Sequence, residues 1–261
     1  MNKERQKKTE LLAHSKEEAL LGRRLLDLDV MCIKRHCPMS TFFLTQQEQA
    51  YCESVFHLLD SHCRLFGGYD SAERCVAILL PDENYEIDED ELPFTVLSVK
   101  YAAEVGHRDI LGSIMGLGIE RDAVGDILVF GNECFVFIMK DIAGYIEQNL
   151  TKTGRQNVSV KRASFDEVRI PEVKTEEINA TVASLRLDCI IAEGFRLSRE
   201  TAKSAVEKQL VSLNHRIIGT PSQNVKENDV ISLRGKGKII LKSVSGESRK
   251  GRIWVKILRY I

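Results

Sequence analysis

Positively charged side chains near the carboxyl end of the chain have spacings suited to contacting phosphate groups. Arg199 and Lys203 are four residues apart, which in a helix places them one turn apart on the same side. Positions 234–238 combine three cations with two glycines, which lets a backbone approach phosphates closely, although an ordinary hairpin turn could have the same composition. Both segments predict contacts with a polyanion. The cations of the second segment are Arg234, Lys236 and Lys238.

The distribution of charge supports this interpretation. The 261 residues carry 37 Lys and Arg and 38 Asp and Glu, a net charge of -1. Residues 183–261 hold 16 basic and 7 acidic residues, a charge of +9, which leaves -10 for residues 1–182. An electrostatic potential depends on where charge lies and not on its sum. The asymmetry therefore predicts an anion-binding surface at the carboxyl end.

Cysteine and histidine side chains in the amino-terminal part raise the question of a metal site. The seven cysteines of the chain are odd in number and scattered, which predicts free thiols in a reducing cytosol. No pair in the amino-terminal group has the short CxxC spacing of structural zinc sites, so we expect core thiols, surface imidazoles and no metal or other cofactor. The group comprises Cys32, His36, Cys37, Cys52, His57, His62 and Cys63.

The start of the sequence and its hydropathy predict where the protein acts. Residues 1–10 are mostly charged and polar, and no apolar segment follows them as in a secretory signal. No uninterrupted apolar run of about 18 residues could span a bilayer. We expect a soluble cytoplasmic protein without membrane or small-molecule partners.

The apolar pattern predicts an α+β protein that begins with a helical region over residues 1–72. Pro38 interrupts the helical spacing, and Thr45 with Glu48 predicts a capping box that begins a second helix. This helix is expected to bury residues as far as Leu59 and to stop at the glycine pair 67–68. Residues 73–165 then alternate in the order βαββαβ, which is typical of ferredoxin-like and RRM-like domains.

The remaining segments are a linker and a second α+β domain. Residues 166–182 are polar, contain Pro171 and show no sustained period, so they predict the linker. Residues 183–261 predict two short helices followed by strands. Ser198 is the expected N-cap of the second helix, and Asn214 with His215 forms a turn in which Asn tolerates positive φ.

Several of these residues together resemble the S4 RNA-binding domain. The matching elements are an RLD helix start, an SR helix cap and a VN turn, found here at Arg186-Leu187-Asp188, Ser198-Arg199 and Val211 to Asn214. The sequence departs from the pattern at Gln209, His215 and Asn228, where glycine is usual. The resemblance implies recognition of structured RNA, and it implies RNA-binding roles for Arg186, Ser198, Arg199, Lys203 and Asn214, with His215 in the adjoining turn.

The resemblance extends upstream to the YlmH-like bacterial S4-domain proteins. It rests on Phe66-Gly67-Gly68-Tyr69, the pair Glu73-Arg74, and the glycine-containing segments 116–119 and 125–127. These proteins combine an amino-terminal helical part, an RRM-like domain and a carboxyl-terminal S4 domain. The resemblance implies ribosomal or transfer RNA and the large ribosomal subunit as partners, and a role in rescue or quality control of stalled ribosomes.

Two other functions remain open at this stage. An RNA-modifying enzyme could have its site within residues 1–165, with residues 67–74 as the candidate loop, although GxxxxGK[ST], GxGxxG and GxSxG motifs are absent from the sequence. A protein-interaction adaptor could use its S4 domain only as a tether. Of the three, we expect a binding protein and not an enzyme.

Aromatic residues of the middle domain offer a second candidate RNA contact. Phe135 and Phe137 alternate on a predicted central strand, and RRM domains stack unpaired bases on such side chains. The surrounding residues lack the basic and second-glycine character of the RRM motif. The sequence therefore favours core packing for both rings.

Overall fold

The computed structural model describes residues 3–103, 105–170, 174–247 and 251–261. Its fold class is the expected mixture of helices and sheets, and the chain divides into two compact units, residues 1–171 (unit 1) and residues 172–261 (unit 2). The expected helical region and the expected RRM-like domain both belong to unit 1.

Helices dominate the first part of unit 1. Ser15 caps the second helix by accepting a hydrogen bond from the Glu18 backbone N–H, and Thr45 and Glu48 form the predicted capping box at the start of the third. Three short strands pair antiparallel in the order β1-β3-β2. The elements are α1 Lys3–Leu12, α2 Lys16–Arg35, β1 Met39–Ser40, α3 Gln46–Val55, β2 His62–Phe66 and β3 Val76–Leu80.

This part of the chain contains less helix than the sequence predicts. Helix α3 ends at Val55 and a 3₁₀ turn extends it to Leu58, but strand β2 takes the place of the helix that was expected to reach the glycine pair 67–68. The buried Asp29 carboxylate accepts hydrogen bonds from the backbone N–H groups of Asp60 and Ser61 at 3.0 and 2.8 Å, and from the Ser61 hydroxyl at 2.7 Å. These bonds hold the chain in an extended path. Contact with a distant residue thus overrides the local helical pattern.

The second part of unit 1 has the predicted βαββαβ order. The sheet is antiparallel with strand order β5-β6-β4-β8-β7, and its first four strands show the arrangement of a split βαβ domain. Helix α5 packs across β4, β6 and β8. The elements are β4 Phe94–Tyr101, α4 His107–Gly116, β5 Val124–Phe130, β6 Glu133–Met139, α5 Lys140–Asn149, β7 Lys152–Thr153 and β8 Gln156–Ala163.

The sheet face that carries Phe135 and Phe137 is covered by other side chains of unit 1. The Phe137 ring is completely buried, with its centroid 5.5 Å from that of Tyr69 and 6.2 Å from that of Phe165. Phe135 is 3% exposed and lies under the Arg169 guanidinium, 5.8 Å from its ring centroid. Both rings therefore belong to the core, as the sequence favours.

Unit 2 is a six-stranded antiparallel sheet with two helices. The strand order is β11-β10-β12-β13-β14-β9. The inward side chains of the sheet form one core with Ile190, Ile191 and Val206 of the helices. The elements are β9 Thr175–Val182, α6 Leu187–Gly194, α7 Arg199–Glu207, β10 Val211–Leu213, β11 Arg216–Ile217, β12 Val230–Leu233, β13 Gly237–Glu247 and β14 Ile253–Tyr260.

The second half of the expected linker is a strand. Residues 175–182 form β9, which pairs with β14 along its whole length and buries Val182. Ile178, Ala180 and Val182 alternate inward with polar residues between them, which is a strand period that the interpretation of this segment as a linker missed. Pairing with β14 supplies the backbone hydrogen bonds that make the segment a strand. Pro171 lies outside the described residues.

Candidate nucleic-acid interface

A buried carboxylate organises the two arginines that the sequence assigns to RNA binding. Asp188 is 2% exposed and accepts two hydrogen bonds from Arg186, at 3.0 Å from Nε and 2.9 Å from Nη2. The Nε of Arg199 lies 3.7 Å from the same carboxylate. The Arg186 and Arg199 side chains remain 38% and 57% exposed. Asp188 thus holds two guanidinium groups side by side with donors left for an anion.

The ionisation of Asp188 depends on these arginines. Burial disfavours the charged form, but the hydrogen bonds from Arg186 and the charges of Arg186 and Arg199 outweigh it and hold the pKa of this carboxyl below its usual value. The hydrogen bond to Asp188 correspondingly raises the pKa of Arg186. With Asp188 ionised, the three residues form a charged group with one positive charge in excess.

Ser198 begins the helix that carries the remaining predicted cation. Its hydroxyl oxygen accepts a hydrogen bond from the Thr201 backbone N–H at 3.1 Å, which confirms the predicted N-cap. Arg199 and Lys203 then lie one turn apart and exposed on α7. Since the Ser198 side chain is engaged in the cap, its contribution to the surface is to set the start of α7.

Asn214 is also engaged within the fold. Its side-chain amide donates to Asp229 at 2.8 Å, and its side-chain oxygen accepts from the Val230 backbone N–H at 2.9 Å. These bonds join the turn between β10 and β11 to the start of β12. Asn214 and His215 both have the positive φ that the turn requires, 47° and 68°.

The three departures from the S4 glycine pattern keep glycine-like backbone. Gln209, His215 and Asn228 have φ values of 56°, 68° and 66°, all in the left-handed region. The Gln209 N–H donates to the Val206 carbonyl and the next N–H to the Ala205 carbonyl, which is a Schellman motif at the end of α7. The turns of the S4 pattern are therefore retained although the glycines are not.

The cations at positions 234–238 lie on a hairpin. Gly235 and Gly237 have φ values of 81° and 100°, and β12 and β13 pair on either side of the turn. Arg234 and Lys236 are exposed at its tip. Lys238 lies over the Tyr260 ring, 4.4 Å from its centroid, on the sheet face away from the helices. The segment therefore forms the hairpin turn that the sequence left as one of two alternatives. Contact of its tip with phosphate stays a prediction.

A cleft beside Arg199 adds a cation that the sequence does not single out. Its volume is about 240 Å³, and its lining includes Arg199, Arg252, Cys189 and Glu193. Arg252 donates through Nε to the Thr181 hydroxyl at 3.0 Å and lies 3.8 Å from the Glu193 carboxylate. Arg252 is one of the 16 basic residues counted in residues 183–261, but the sequence does not indicate where its side chain lies. The pairing of β9 with β14 places it beside the helices.

Comparison with known proteins identifies the family. Residues 185–231 match the S4 domain model, and residues 87–167 match the model described as "Putative RNA-binding domain in YlmH". The chain is 34% identical over 215 residues to the ribosome-associated protein quality control protein P2 of Bacillus subtilis, covering 81% of this chain and 83% of that protein.

The chain belongs to the YlmH family.

Two further matches cover parts of the chain. The small ribosomal subunit protein uS4 of Frankia casuarinae is 27% identical over 103 residues, covering 37% of this chain and 49% of that protein. The solved structure of the cell division protein ylmH from Streptococcus pneumoniae covers 59% of this chain and 96% of its own, with a TM-score of 0.51 and 22% identity, and shows a similar fold. The matched families are RNA-binding ones, so this YlmH-family member is an S4-domain RNA-binding protein.

The loop considered for catalysis has a structural role. Asp126 accepts hydrogen bonds from the Tyr69 hydroxyl at 2.7 Å and from the backbone N–H groups of Glu73 and Arg74 at 2.7 and 3.1 Å. Arg74 donates to the carbonyl oxygens of Phe43 and Val124 at 2.8 and 3.1 Å. Burial raises the pKa of Asp126 despite these bonds. The polar groups of this loop hold the first and second parts of unit 1 together.

The described residues contain no cluster of three or more His, Cys, Asp or Glu side chains that could hold a metal ion. Among the helices of the described ranges, none is long and apolar enough to cross a bilayer.

Proposed function

We propose that this YlmH-family protein binds structured ribosomal or transfer RNA on the large ribosomal subunit through the α6–α7 face of unit 2. The observation that carries the proposal is the Asp188-centred pair of exposed arginines, followed one turn later by Lys203. Arginines held by a carboxylate keep a fixed fork, which suits recognition of phosphate at defined positions in folded RNA.

The relative from Bacillus subtilis supports a pathway for this binding. Its name places it in ribosome-associated quality control, and the chain covers most of its length. We infer that the protein acts by binding in the cytoplasm, in rescue or quality control of stalled ribosomes, and not as an enzyme. Arg234 and Lys236 at the hairpin tip would add phosphate contacts, Lys238 would contact RNA on the sheet face away from the helices, and Asn214 and Ser198 shape the α6–α7 surface. Unit 1, as the acidic part, would supply protein contacts or orientation.

Sedimentation tests the ribosomal part of this proposal. In sucrose gradients of cell lysates we expect the protein to migrate with large subunits, and the double variant Arg199→Glu with Lys203→Glu to remain near the top. Normal co-migration of the double variant would contradict the assignment of the surface. Mass spectrometry of ribosomal and transfer RNA from a deletion strain tests the absence of catalysis, since a missing modification would favour an enzyme.

A further inference from the structure

The sheet of unit 2 has a face that no described element of this unit covers. Side chains of β12, β13 and β14 alternate between the two faces, and the inward ones pack against the helices. The outward ones include Trp254, which is 48% exposed, and Tyr260, which is partly exposed. On the edge strand β11, Ile217 is 64% exposed. Two aromatic rings on an open sheet face resemble the platforms on which unpaired bases stack.

The polar residues around these rings favour a polyanion. Lys256 lies between Trp254 and Tyr260 on β14, and Lys238 lies over the Tyr260 ring. Among the described strand residues that share this face, Glu177 is the one carboxylate, and the Lys256 ammonium holds it at 3.0 Å. The partly exposed apolar side chains of Leu258, Ile240 and Val230 share this face beside Tyr260. Small polar side chains around them can donate hydrogen bonds to sugar or phosphate oxygens. They are Asn179, Thr181, Ser212, Ser232, Ser243 and Ser245.

The spacing of the rings indicates the form of the ligand. Trp254 and Tyr260 are six residues apart on one strand, so they are separated by about 20 Å along the sheet. A single strand of several nucleotides can reach both rings, with its phosphates near Lys238 and Lys256. A duplex cannot use this face in that way, because its bases are already stacked on each other.

We propose that this open face binds a single-stranded RNA segment, with Trp254 stacking on a base, Tyr260 contacting a second base beside the Lys238 ammonium that lies over its ring, and Lys238 and Lys256 close to phosphates. The surface is distinct from the α6–α7 face. Its rings lie on β14, beyond the residues 185–231 that match the S4 domain. The proposal rests on the proposed function in assuming an RNA partner, and it adds a second surface for a different form of RNA.

Trp254 makes the test direct because it is the single tryptophan of the chain. The full-length protein is titrated with an oligouridylate of about twelve nucleotides, a length within the usual range for single-strand binding sites. We expect quenching of the tryptophan fluorescence that saturates with the oligonucleotide. By anisotropy of a labelled oligonucleotide, Trp254→Ala should weaken binding by about fivefold to a hundredfold, as loss of one base–aromatic stack does.

Variants of the same chain serve as controls. Trp254→Phe keeps an aromatic ring and should retain most of the affinity. Tyr145→Ala removes an aromatic that is 50% exposed on α5 of unit 1 and should leave the affinity unchanged. Circular dichroism of each variant checks that the fold is retained. Absence of quenching, or equal affinity of Trp254→Ala and the wild type, overturns the proposal.

The double variant Arg199→Glu with Lys203→Glu separates this proposal from the previous one. If both proposals hold, it loses co-migration with large subunits while oligouridylate still quenches Trp254. If quenching is lost with it, the open face is not a separate site and the proposal fails. If Trp254→Ala changes self-association or binding of a protein but not the oligonucleotide affinity, the face is a protein interface and the proposal also fails.

Discussion

The five-stranded sheet of unit 1 and the six-stranded sheet of unit 2 each have helices on one face, but their other faces differ. In unit 1 the second face carries Phe137 and Phe135 under Tyr69, Phe165 and Arg169. In unit 2 the second face carries the exposed Trp254. The sheet of unit 1, which has the strand order of an RRM domain, therefore buries its aromatic residues. The sheet of unit 2 leaves Trp254 exposed.

This contrast shows that strand order does not by itself make a binding platform. Aromatic rings on a sheet stabilise the fold when side chains from elsewhere in the chain cover them, and they remain available to a ligand when nothing does. The charges of the two units agree with this contrast, since residues 1–171 carry -8 and residues 172–261 carry +7. Matched variants in unit 1 and unit 2 can therefore test the contrast between a covered sheet and an open one.

The largest effect is expected in the covered sheet. Phe137→Ala should lower the free energy of unfolding of unit 1 by about 3–5 kcal/mol, because it leaves a cavity beneath Tyr69 and Phe165. Chemical denaturation followed by circular dichroism measures this change. Ile217→Ala on the open sheet is the matched control, and we expect it to change stability by less than about 0.5 kcal/mol. Equal losses of stability in the two variants would contradict the difference between a covered sheet face in unit 1 and an open one in unit 2.

The second effect concerns RNA affinity in unit 2. Arg199→Glu with Lys203→Glu should weaken binding of ribosomal RNA by about tenfold or more for each cation, since a charge-assisted hydrogen bond contributes about 1.5–3 kcal/mol. The slope of log affinity against log salt should decrease by about two, one for each lost phosphate contact. Filter binding at several salt concentrations measures both quantities.

A control variant with the same change of charge shows whether RNA affinity depends on the α7 surface or on the net charge of the protein. Lys3→Glu with Lys7→Glu reverses two exposed cations one turn apart on α1 of unit 1. We expect its affinity and salt dependence to stay close to those of the wild type. If both double variants lose affinity equally, the binding depends on net charge and not on the α7 surface.

The third effect is a pH dependence in unit 2. Because Arg186 and Arg199 hold the pKa of Asp188 below its usual value, the carboxylate stabilises the fold above the ordinary pKa of about 3.9 and loses this effect as pH falls through the lowered pKa. Asp188→Asn should cost about 1–3 kcal/mol near neutral pH and progressively less in acid. Denaturation followed by Trp254 fluorescence at several pH values measures the difference.

An exposed acidic residue of unit 1 provides the comparison for this variant. Asp70→Asn removes a carboxylate at the protein surface and should leave the stability of unit 2 unchanged at every pH. A cost of Asp188→Asn that does not change between neutral and acidic pH would show that the arginines do not depend on the charge of Asp188.

The smallest effect concerns the turns that position the α7 surface. Gln209→Gly should stabilise unit 2 by about 0.5–1 kcal/mol, because a φ of 56° strains a residue with a side chain but not glycine. Lys208→Gly is the control, since Lys208 has a φ of -80° and gains nothing from glycine. Thermal unfolding measured by Trp254 fluorescence should move in opposite directions for the two variants. Destabilisation by Gln209→Gly would be inconsistent with strain at this position.

Much of the fold could be predicted because local interactions determine it. The order βαββαβ is found as predicted, and the caps at Thr45 and Ser198 form as expected. Each depends on residues within a few positions of one another. Helix α3 and strand β9 differ from expectation, because Asp29 and β14, both distant in sequence, decide the backbone path there.

The candidate site, like the fold, could be predicted from the sequence only where local properties determine it. Its cations and turn residues could be named from their types and spacing, since charge and left-handed backbone tendencies belong to individual residues. The role of Asp188 in holding Arg186 and Arg199, and the position of Arg252 in the neighbouring cleft, depend on contacts between elements. Such contacts arise only when the helices pack on the sheet.

The sequence by itself determined the secondary-structure order, the basic carboxyl-terminal unit and the resemblance to S4 domains, because periodicity, charge and short motifs are local properties. Only the tertiary structure decided which sheet face is covered. The residues around Phe137 already favour core packing, whereas Trp254 lies on an alternating strand whose residues do not say whether its outward face is covered. Their difference follows from which distant side chains, such as Tyr69 and Phe165, pack against the ring.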